Sequence, residues 1–204
     1  AVIFDLDGTL LNTIDDLADS MNSVLERFNY PLHDVEAYKY FVGNGMRKLV
    51  ERALPEPERT DENIKRGHAA LLKEYDKRWD HKTRPYDGIP ELLDVLVQKG
   101  IKIAVLSNKA HEFTKLVVDK FLGKWKFDAV LGERNGVVKP DPSGALEIAK
   151  QLGVKPSECL YLGDTAVDMK TANSAGMYAI GVLWGFRKAD ELIEGGARFL
   201  ISRP

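Results

Sequence analysis

The sequence predicts an α/β fold in which a Rossmann-like parallel sheet is flanked by helices and carries an inserted, small all-helical domain. Short apolar runs alternate with helical segments along most of the chain, which is typical of a parallel sheet. Residues 13–82 break this alternation, because they have helical periodicity and no strand-like run. We therefore expect a sheet domain made of residues 1–13 and 84–204, with residues 14–83 as a helical insert.

The first strand is predicted by the apolar residues 1–4, which end abruptly in the acidic loop Asp5-Leu6-Asp7-Gly8-Thr9. Similar apolar runs recur at residues 101–106, 128–131, 160–162 and 178–182. Functional loops of such sheets lie at the carboxyl ends of the strands. The polar residues directly after each run are therefore the candidates for a site.

Two helices between the strands are marked by apolar residues at helical spacing. The first begins near Pro90, which suits the first turn of a helix, and ends at Gly100. Its apolar face consists of Leu92, Leu93, Leu96 and Val97. The face of the second helix consists of Phe113, Leu116, Val117 and Phe121. Both faces are expected to pack against the sheet.

Three apolar helical faces are predicted within the insert. The first helix opens on Thr13 and Asp16, which have the spacing of a capping box. Its apolar face consists of Leu17, Met21, Val24, Leu25 and Phe28. The other two faces consist of Met46, Leu49, Val50, Ala53 and Leu54, and of Ile64, Leu71, Leu72, Tyr75 and Trp79. We interpret all three as core and not as binding surfaces.

Composition limits the classes of partner. Lys and Arg number 29 against 31 Asp and Glu, so the excess positive charge that nucleic acid binding requires is missing. No apolar run approaches the roughly 20 residues that span a bilayer, and no leader opens the chain. The single cysteine, Cys159, lies in an apolar run and is interpreted as a buried hydrophobe. We expect a cytoplasmic protein with no nucleic acid or membrane partner.

Asp5 and Asp7 lie two residues apart at the end of the first predicted strand. In a phosphoryl transfer, one such carboxylate attacks phosphorus while the other handles the proton of the leaving group. A solvated loop with two acids fits the same pattern, so the pair alone does not decide between these interpretations.

A second acidic pair, Asp164 and Asp168, follows the run at residues 160–162 and opens a helical segment. The two residues share one face near the helix N-terminus, where negative charge is favoured. Several acids at one edge of the sheet suit Mg²⁺, which prefers oxygen ligands. The alternative is that one of them only caps the helix.

Two further strand ends carry polar residues. A hydroxyl or an amide at Ser107 and Asn108 can donate to a phosphate oxygen, although an ordinary turn has the same composition. Lys139 precedes Pro140, which restricts the lysine backbone to extended geometry and so directs its side chain. A solvated lysine is the alternative at this position.

In chain order, four segments resemble the four motifs of the haloacid dehalogenase superfamily. They are Asp5-Leu6-Asp7-Gly8-Thr9, Ser107-Asn108, Lys139-Pro140 and the segment from Gly163-Asp164 to Asp168. Four short motifs in the right order, each after a predicted strand, are more specific together than singly. The position of the insert, with Val42-Gly43-Asn44-Gly45 and Ser107-Asn108-Lys109, is also similar to the phosphoglycolate phosphatase group.

The resemblance implies a core domain with a helical cap and a role for each motif residue. Asp5 would be the nucleophile and a metal ligand, and Asp7 would be the general acid and base and give its backbone carbonyl to Mg²⁺. Ser107 and Asn108 would bind the phosphate, and Lys139 would neutralise charge on Asp5 and the phosphoryl group. Asp164 would bind Mg²⁺, and Asp168 would bind it directly or through water.

The resemblance further implies a small phosphorylated metabolite as substrate, acted on by a monomer or a homodimer. An acid at position 7 favours ester hydrolysis or phosphomutase chemistry, and Thr9 favours the phosphatase because mutases commonly have Val there. A protein that keeps the fold but only binds a metabolite is a third interpretation. The cap, residues 14–83, is expected to select the substrate, and Arg47 is one residue that suits a substrate carboxylate.

Overall fold

The computed structural model describes all 204 residues. The strands are β1 (Val2–Phe4), β2 (Leu11–Asn12), β3 (Arg84–Pro85), β4 (Ile103–Ala110), β5 (Ala129–Glu133), β6 (Leu160–Gly163), β7 (Tyr178–Val182) and β8 (Phe199–Ile201). The helices are α1 (Ile14–Arg27), α2 (Val35–Phe41), α3 (Met46–Ala53), α4 (Asp61–Arg78), α5 (Ile89–Gln98), α6 (His111–Leu122), α7 (Ser143–Leu152), α8 (Ala166–Ser174) and α9 (Ala189–Glu194). None of these helices is long and apolar enough to cross a membrane.

The chain divides into two compact units. The sheet unit consists of Ala1–Leu11 and Pro85–Pro204, and the helical unit consists of Asn12–Arg84. The chain passes from one unit to the other within β2 and β3, which pair with each other as a two-stranded sheet.

The main sheet has six strands in the order β5-β4-β1-β6-β7-β8, and every pair is parallel. From β1 the chain builds outward through β4 and β5, and it then returns beside β1 with β6 and builds outward in the other direction. The order therefore reverses between β1 and β6. In open parallel sheets, the crevice at the carboxyl ends of such a strand pair is where ligands bind. The predicted fold class is confirmed.

Buried side chains explain why the predicted strands form. Ile3, Phe4, Val105 and Tyr161 are at most 1% exposed, as expected for strands covered by helices on both faces. The strand β8 was not predicted, since it is three residues long and none of its side chains is fully buried. The buried residue Cys159 packs in the core, as its apolar setting indicated.

The helix faces were predicted less well than the strands. In α5, Leu93 and Leu96 are buried as predicted, but Val97 is 46% exposed. In α6, Val117 is buried, whereas Leu116 is 48% exposed. The buried face of α6 consists of Thr114, Val117, Val118 and Leu122. The buried face of α6 includes a threonine, so a search for apolar residues alone did not find it.

The predicted capping box of Thr13 and Asp16 is wrong. Thr13 precedes α1, but its side chain makes no capping hydrogen bond and its buried Oγ1 has no partner. The buried Asp16 carboxylate instead accepts hydrogen bonds from Lys82 N at 3.0 Å and from Thr83 N and Thr83 Oγ1 at 2.8 Å each. This carboxylate therefore joins the start of α1 to the last residues before β3.

A glycine-rich loop connects α2 to α3 in the helical unit. Gly43 and Gly45 have φ angles of 113° and 81°, which an L side chain rarely adopts. The Arg52 guanidinium holds the loop, because it donates to Phe41 O at 3.1 Å and to Asn44 Oδ1 at 2.8 Å. Arg47, just after the loop, is exposed and forms an ion pair with Asp61 at 2.9 Å.

Replacing Glu74 by glutamine is expected to lower the free energy of unfolding by about 1–2 kcal/mol at neutral pH. The Glu74 carboxylate is 5% exposed and lies 2.5 Å from Arg27, 3.0 Å from Lys77 and 2.9 Å from Arg78. Hydrogen bonds from Arg27 and then Lys77 lower the pKa of Glu74 from 4.5 to about 2. The three cationic partners are partly exposed, which keeps the effect modest.

Because this pKa is lower in the folded state, the stabilisation is complete above pH 4.5 and is lost as the pH falls toward 2. Urea denaturation of the parent and of Glu74→Gln across this pH range measures the difference. Asp76→Asn, an exposed change on the same helix, is the matched control. A gap between parent and variant that stays constant from pH 7 to pH 2 would contradict the ion-pair explanation.

Candidate active site

Two of the predicted site residues lie at the reversal of strand order. Asp5 directly follows β1, and Asp164 directly follows β6. The two strand ends are joined by a hydrogen bond from Asp5 N to Leu162 O of 2.9 Å. Neighbouring parallel strands thus bring together two acids that are far apart in the sequence.

Asp5, Asp164 and Asp168 form a buried acidic cluster. One carboxylate oxygen of each lies within 4.8 Å of the others. The ammonium of Lys139 enters this cluster, with Nζ 2.8 Å from Asp5 Oδ1 and 2.6 Å from Asp168 Oδ1. Only 4% of the Lys139 side chain is exposed. The ammonium therefore bridges two of the three carboxylates.

Asp168 is fixed by the start of α8. Thr165 is the N-cap residue, and its N and Oγ1 donate to Asp168 Oδ2 at 3.1 Å and 2.6 Å. The Tyr161 hydroxyl donates to Asp168 Oδ1 at 3.4 Å. The capping interaction considered as an alternative is present, but it uses Oδ2. Oδ1 is the atom that contacts Lys139, so Asp168 both stabilises the helix and belongs to the cluster.

Asp164 is enclosed by groups from two distant segments. Its Oδ1 accepts from Thr9 Oγ1 at 3.1 Å, and its Oδ2 accepts from Phe186 N at 2.8 Å. A Cβ added at Gly8 would lie 2.3 Å from Asp164 Oδ2, and one added at Gly185 would lie 2.3 Å from Asp164 Cβ. Glycine at these two positions is therefore required for the Asp164 carboxylate to fit.

Burial and mutual repulsion shift the acidity of this cluster. Burial raises the pKa of Asp5 well above its ordinary value, and the charge of Asp168 raises it further against the attraction of Lys139. Burial and then Asp168 raise the pKa of Asp164 to about 7. Burial alone would lower the pKa of Lys139, but Asp168 and Asp5 attract the proton strongly enough to raise it. The ammonium stays charged, and the negative charge it leaves uncompensated suits a hard divalent cation such as Mg²⁺.

Ser107 and Asn108 lie in β4, where its pairing with β5 shifts register between Leu106 and Ala110. The Ser107 Oγ accepts from Lys109 N at 3.1 Å, which leaves the hydroxyl proton able to donate elsewhere. The Asn108 amide holds the Lys139 backbone from both sides: it accepts from Lys139 N at 2.7 Å and donates to Lys139 O at 3.2 Å. The strand predicted to end at residue 106 continues to Ala110, and Ser107 and Asn108 lie in the part where the register shifts.

Asp7 is not part of the acidic cluster, since its carboxylate contacts a different cation. Lys109 Nζ lies 2.9 Å from Asp7 Oδ1, with 6% of the Lys109 side chain and 15% of the Asp7 side chain exposed. The motif in the sequence contained Lys109, but nothing in its spacing marked the side chain as functional. Its burial and its distance to Asp7 are the signals that single it out.

A cavity of about 310 Å³ opens in the sheet unit beside Ser107, Asn108 and Lys139, and the three acids of the cluster are not among its lining residues. It lies at the small end of the range for ligand pockets. Its lining includes Ser107, Asn108, Lys139, Arg134 and Glu147. Three of the predicted site residues are thus next to a space that admits a small molecule.

Similarity to known proteins shows the class of enzyme to which the chain belongs. Residues 2–182 match the haloacid dehalogenase-like hydrolase family. The chain belongs to that family, and it is a hydrolase of the haloacid dehalogenase class. The resemblance drawn from the four sequence motifs is confirmed.

The names of similar proteins are more specific than the name of the family. The phosphoglycolate phosphatase of Aquifex aeolicus (strain VF5) is 32% identical over 204 residues, covering 100% of this chain and 92% of the relative. A crystal structure from Lactobacillus delbrueckii subsp. bulgaricus, itself a predicted phosphoglycolate phosphatase, is 33% identical with a TM-score of 0.92, covering 99% of this chain and 93% of that one. A predicted β-phosphoglucomutase of Bacteroides vulgatus is 25% identical with a TM-score of 0.76, covering 99% and 83%.

Proposed function

We propose that this protein is a Mg²⁺-dependent phosphatase that hydrolyses a small phosphate monoester through an aspartyl-phosphate on Asp5. The observation that carries the proposal is the buried cluster of Asp5, Asp164 and Asp168, in which the Lys139 ammonium bridges Asp5 and Asp168. A nucleophilic carboxylate next to a fixed positive charge is what phosphoryl transfer needs, because catalysis of this reaction is mostly positioning and charge compensation.

In the first step, a carboxylate oxygen of Asp5 forms a bond to phosphorus, and the bond from phosphorus to the ester oxygen breaks. Asp7 donates a proton to the departing oxygen, which leaves as an alcohol. In the second step, Asp7 takes a proton from water as the water oxygen attacks the phosphorus of the aspartyl-phosphate. Phosphate is released and the Asp5 carboxylate is restored.

The proposal assigns the metal ion to the carboxylates of Asp5, Asp164 and Asp168 and to the backbone carbonyl of Asp7. Hydrolases of this family generally use Mg²⁺, and the donor set contains only oxygens. When bound, the ion supplies positive charge to the phosphoryl oxygens. Burial raises the pKa values of Asp5 and Asp164 and the charge of Asp168 raises them further, and a bound cation would favour the ionised carboxylates instead.

Local contacts support the remaining proposed roles. Lys139 offsets charge on Asp5 and on the phosphoryl group, which its position between two carboxylates supports. The Ser107 hydroxyl donates to a phosphate oxygen, since the hydrogen bond it accepts from Lys109 leaves its proton free. Asn108 is assigned to the same phosphate, and its amide also holds the backbone of Lys139 in place.

The first candidate substrate is 2-phosphoglycolate, which the names of the Aquifex and Lactobacillus relatives support. We assign substrate selection to the helical cap, residues 14–83, and in particular to its glycine-rich loop. Arg47 stands next to that loop with an exposed guanidinium, a group that suits a carboxylate such as that of glycolate.

Incubation of the purified protein with a panel of phosphate esters is expected to release inorganic phosphate only when Mg²⁺ is present. The specificity constant kcat/KM is expected to be highest for 2-phosphoglycolate. Chelation by EDTA should remove at least 99% of the activity, on the order of 10²-fold, because the surplus negative charge of the cluster then repels the phosphoryl group. Excess Mg²⁺ should restore it.

Two outcomes would contradict this function. No phosphate release from any ester at any metal concentration would favour a protein that only binds a metabolite. Isomerised sugar, formed from a hexose 1-phosphate and a bisphosphate activator without net phosphate release, would favour the mutase. The lower structural similarity to the Bacteroides vulgatus protein and the presence of Thr9 favour the phosphatase over that mutase.

A further inference from the structure

Lys109 is a nearly buried lysine at the edge of the candidate active site. Only 6% of its side chain is exposed, although lysine side chains are rarely buried unless they have an anionic partner. That partner is Asp7, whose Oδ1 lies 2.9 Å from the Lys109 Nζ. The ion pair is shielded from solvent on both sides, so water screens it less than it would a surface pair.

The backbone of Lys109 is fixed by the residues around it. Its N–H donates to Ser107 Oγ at 3.1 Å, and its carbonyl accepts from the buried Thr114 Oγ1 at 3.0 Å. Its Nζ lies 5.6 Å from the centre of the Phe113 ring, within the range of a cation–π interaction. The ammonium is therefore directed at Asp7 by a side chain that has little freedom to move elsewhere.

We propose that Lys109 is a positioning residue for Asp7 in the proton-transfer steps, an inference that rests on the proposed phosphatase function. The ammonium attracts the carboxylate at Oδ1, a buried atom that accepts no hydrogen bond, and the ion pair so orients the carboxylate and leaves Oδ2 to exchange the proton. A general acid must lie within hydrogen-bond reach of the oxygen that it protonates, and small misplacements reduce the rate strongly. Loss of Lys109 is therefore expected to impair the proton transfer and to leave the nucleophilic attack by Asp5 largely intact.

The choice of leaving group separates these two steps. p-Nitrophenolate is a stable anion and departs without a proton, whereas the alkoxide that leaves from 2-phosphoglycolate needs one. With p-nitrophenyl phosphate, Lys109→Met is expected to give a pre-steady-state burst of p-nitrophenolate at nearly the parent rate, followed by slow turnover. With 2-phosphoglycolate, kcat is expected to fall about 10²-fold with no comparable change in KM, and no burst of product should precede turnover.

Three variants make the test specific. Asp7→Asn is the reference and should show the same dependence on leaving group. The double variant Asp7→Asn with Lys109→Met should be no slower than Asp7→Asn alone, because two residues that act through one step do not add. Lys109→Arg should recover most of the rate, and Lys115→Met, a partly exposed lysine on α6, should behave as the parent.

The outcomes distinguish this inference from the function on which it rests. Loss of the p-nitrophenolate burst in Lys109→Met, together with an equal loss of turnover on both substrates, would show a general structural role and overturn the inference. Parent-like kinetics in Lys109→Met, or an additive double variant, would overturn it as well. If Asp7→Asn itself shows no dependence on leaving group, the proposed mechanism fails. Should Lys109→Met not fold, Lys109→Gln, which keeps a donor without the charge, answers the same question.

Discussion

Replacing Asp5 by asparagine is expected to lower kcat by about 10⁴-fold or more while the protein stays folded. An amide does not attack phosphorus, and it removes one anionic ligand from the cluster. The fold is expected to survive because the asparagine Oδ1 can still accept the hydrogen bond that Leu6 N donates to Asp5 Oδ1 at 2.7 Å. Steady-state phosphate release and a thermal unfolding curve measure the two parts of this result.

Asp119→Asn, an exposed acid on α6, is the matched control and should retain full activity. A second measurement tests the intermediate directly, since the parent should incorporate phosphate covalently during turnover and Asp5→Asn should not. Activity of Asp5→Asn within tenfold of the parent would remove Asp5 from the role of nucleophile.

Replacing Lys139 by methionine is expected to reduce kcat by about 10³-fold and to lower the free energy of unfolding by about 3–5 kcal/mol without metal. Methionine fills much of the same volume, but Asp5 and Asp168 then lose the ammonium at 2.8 Å and 2.6 Å. Two carboxylates would remain buried without compensation. Denaturation in EDTA gives the stability, and single-turnover phosphorylation gives the rate.

The stability loss in Lys139→Met should shrink as the pH is lowered. Without the ammonium, the folded-state pKa of Asp5 lies even further above its unfolded value, so the penalty is present at high pH and disappears as the carboxyl is protonated. Lys150→Met, an exposed lysine on α7, is the control for loss of a positive charge. A penalty independent of pH would indicate lost packing in place of lost charge compensation.

The positions of Asp5 and Asp164 in the fold could be predicted because each directly follows an apolar run, whereas Ser107 lies within β4 and Lys139, expected at a strand end, lies six residues beyond the end of β5. Strand ends are readable from hydrophobic patterning, and parallel strands place their carboxyl ends at one edge. The approach of Asp5 to Asp164 follows from that geometry. The sheet order itself required the family resemblance or the structure, because runs of similar composition do not specify their neighbours.

Other features had no signal in local sequence. Asp16 was expected to cap its own helix, but its partners are backbone groups at Lys82 and Thr83, 66 and 67 residues away. Phe186 contacts Asp164 through a backbone N–H, which every residue except proline has. Lys109 resembled any solvated lysine until its burial against Asp7 was visible. Such contacts depend on tertiary packing, which the spacing of residues along the chain does not predict.

The pairing of β2 with β3 has a consequence for how this molecule can change over evolutionary time. Paired strands lie only about 5 Å apart, so the chain leaves the sheet unit and re-enters it at adjacent points. A module whose two ends meet in this way can be lengthened, shortened or exchanged for another with little disturbance of its host. Selection can thus reshape residues 12–84 while the aspartates and the lysine that perform the chemistry keep their places.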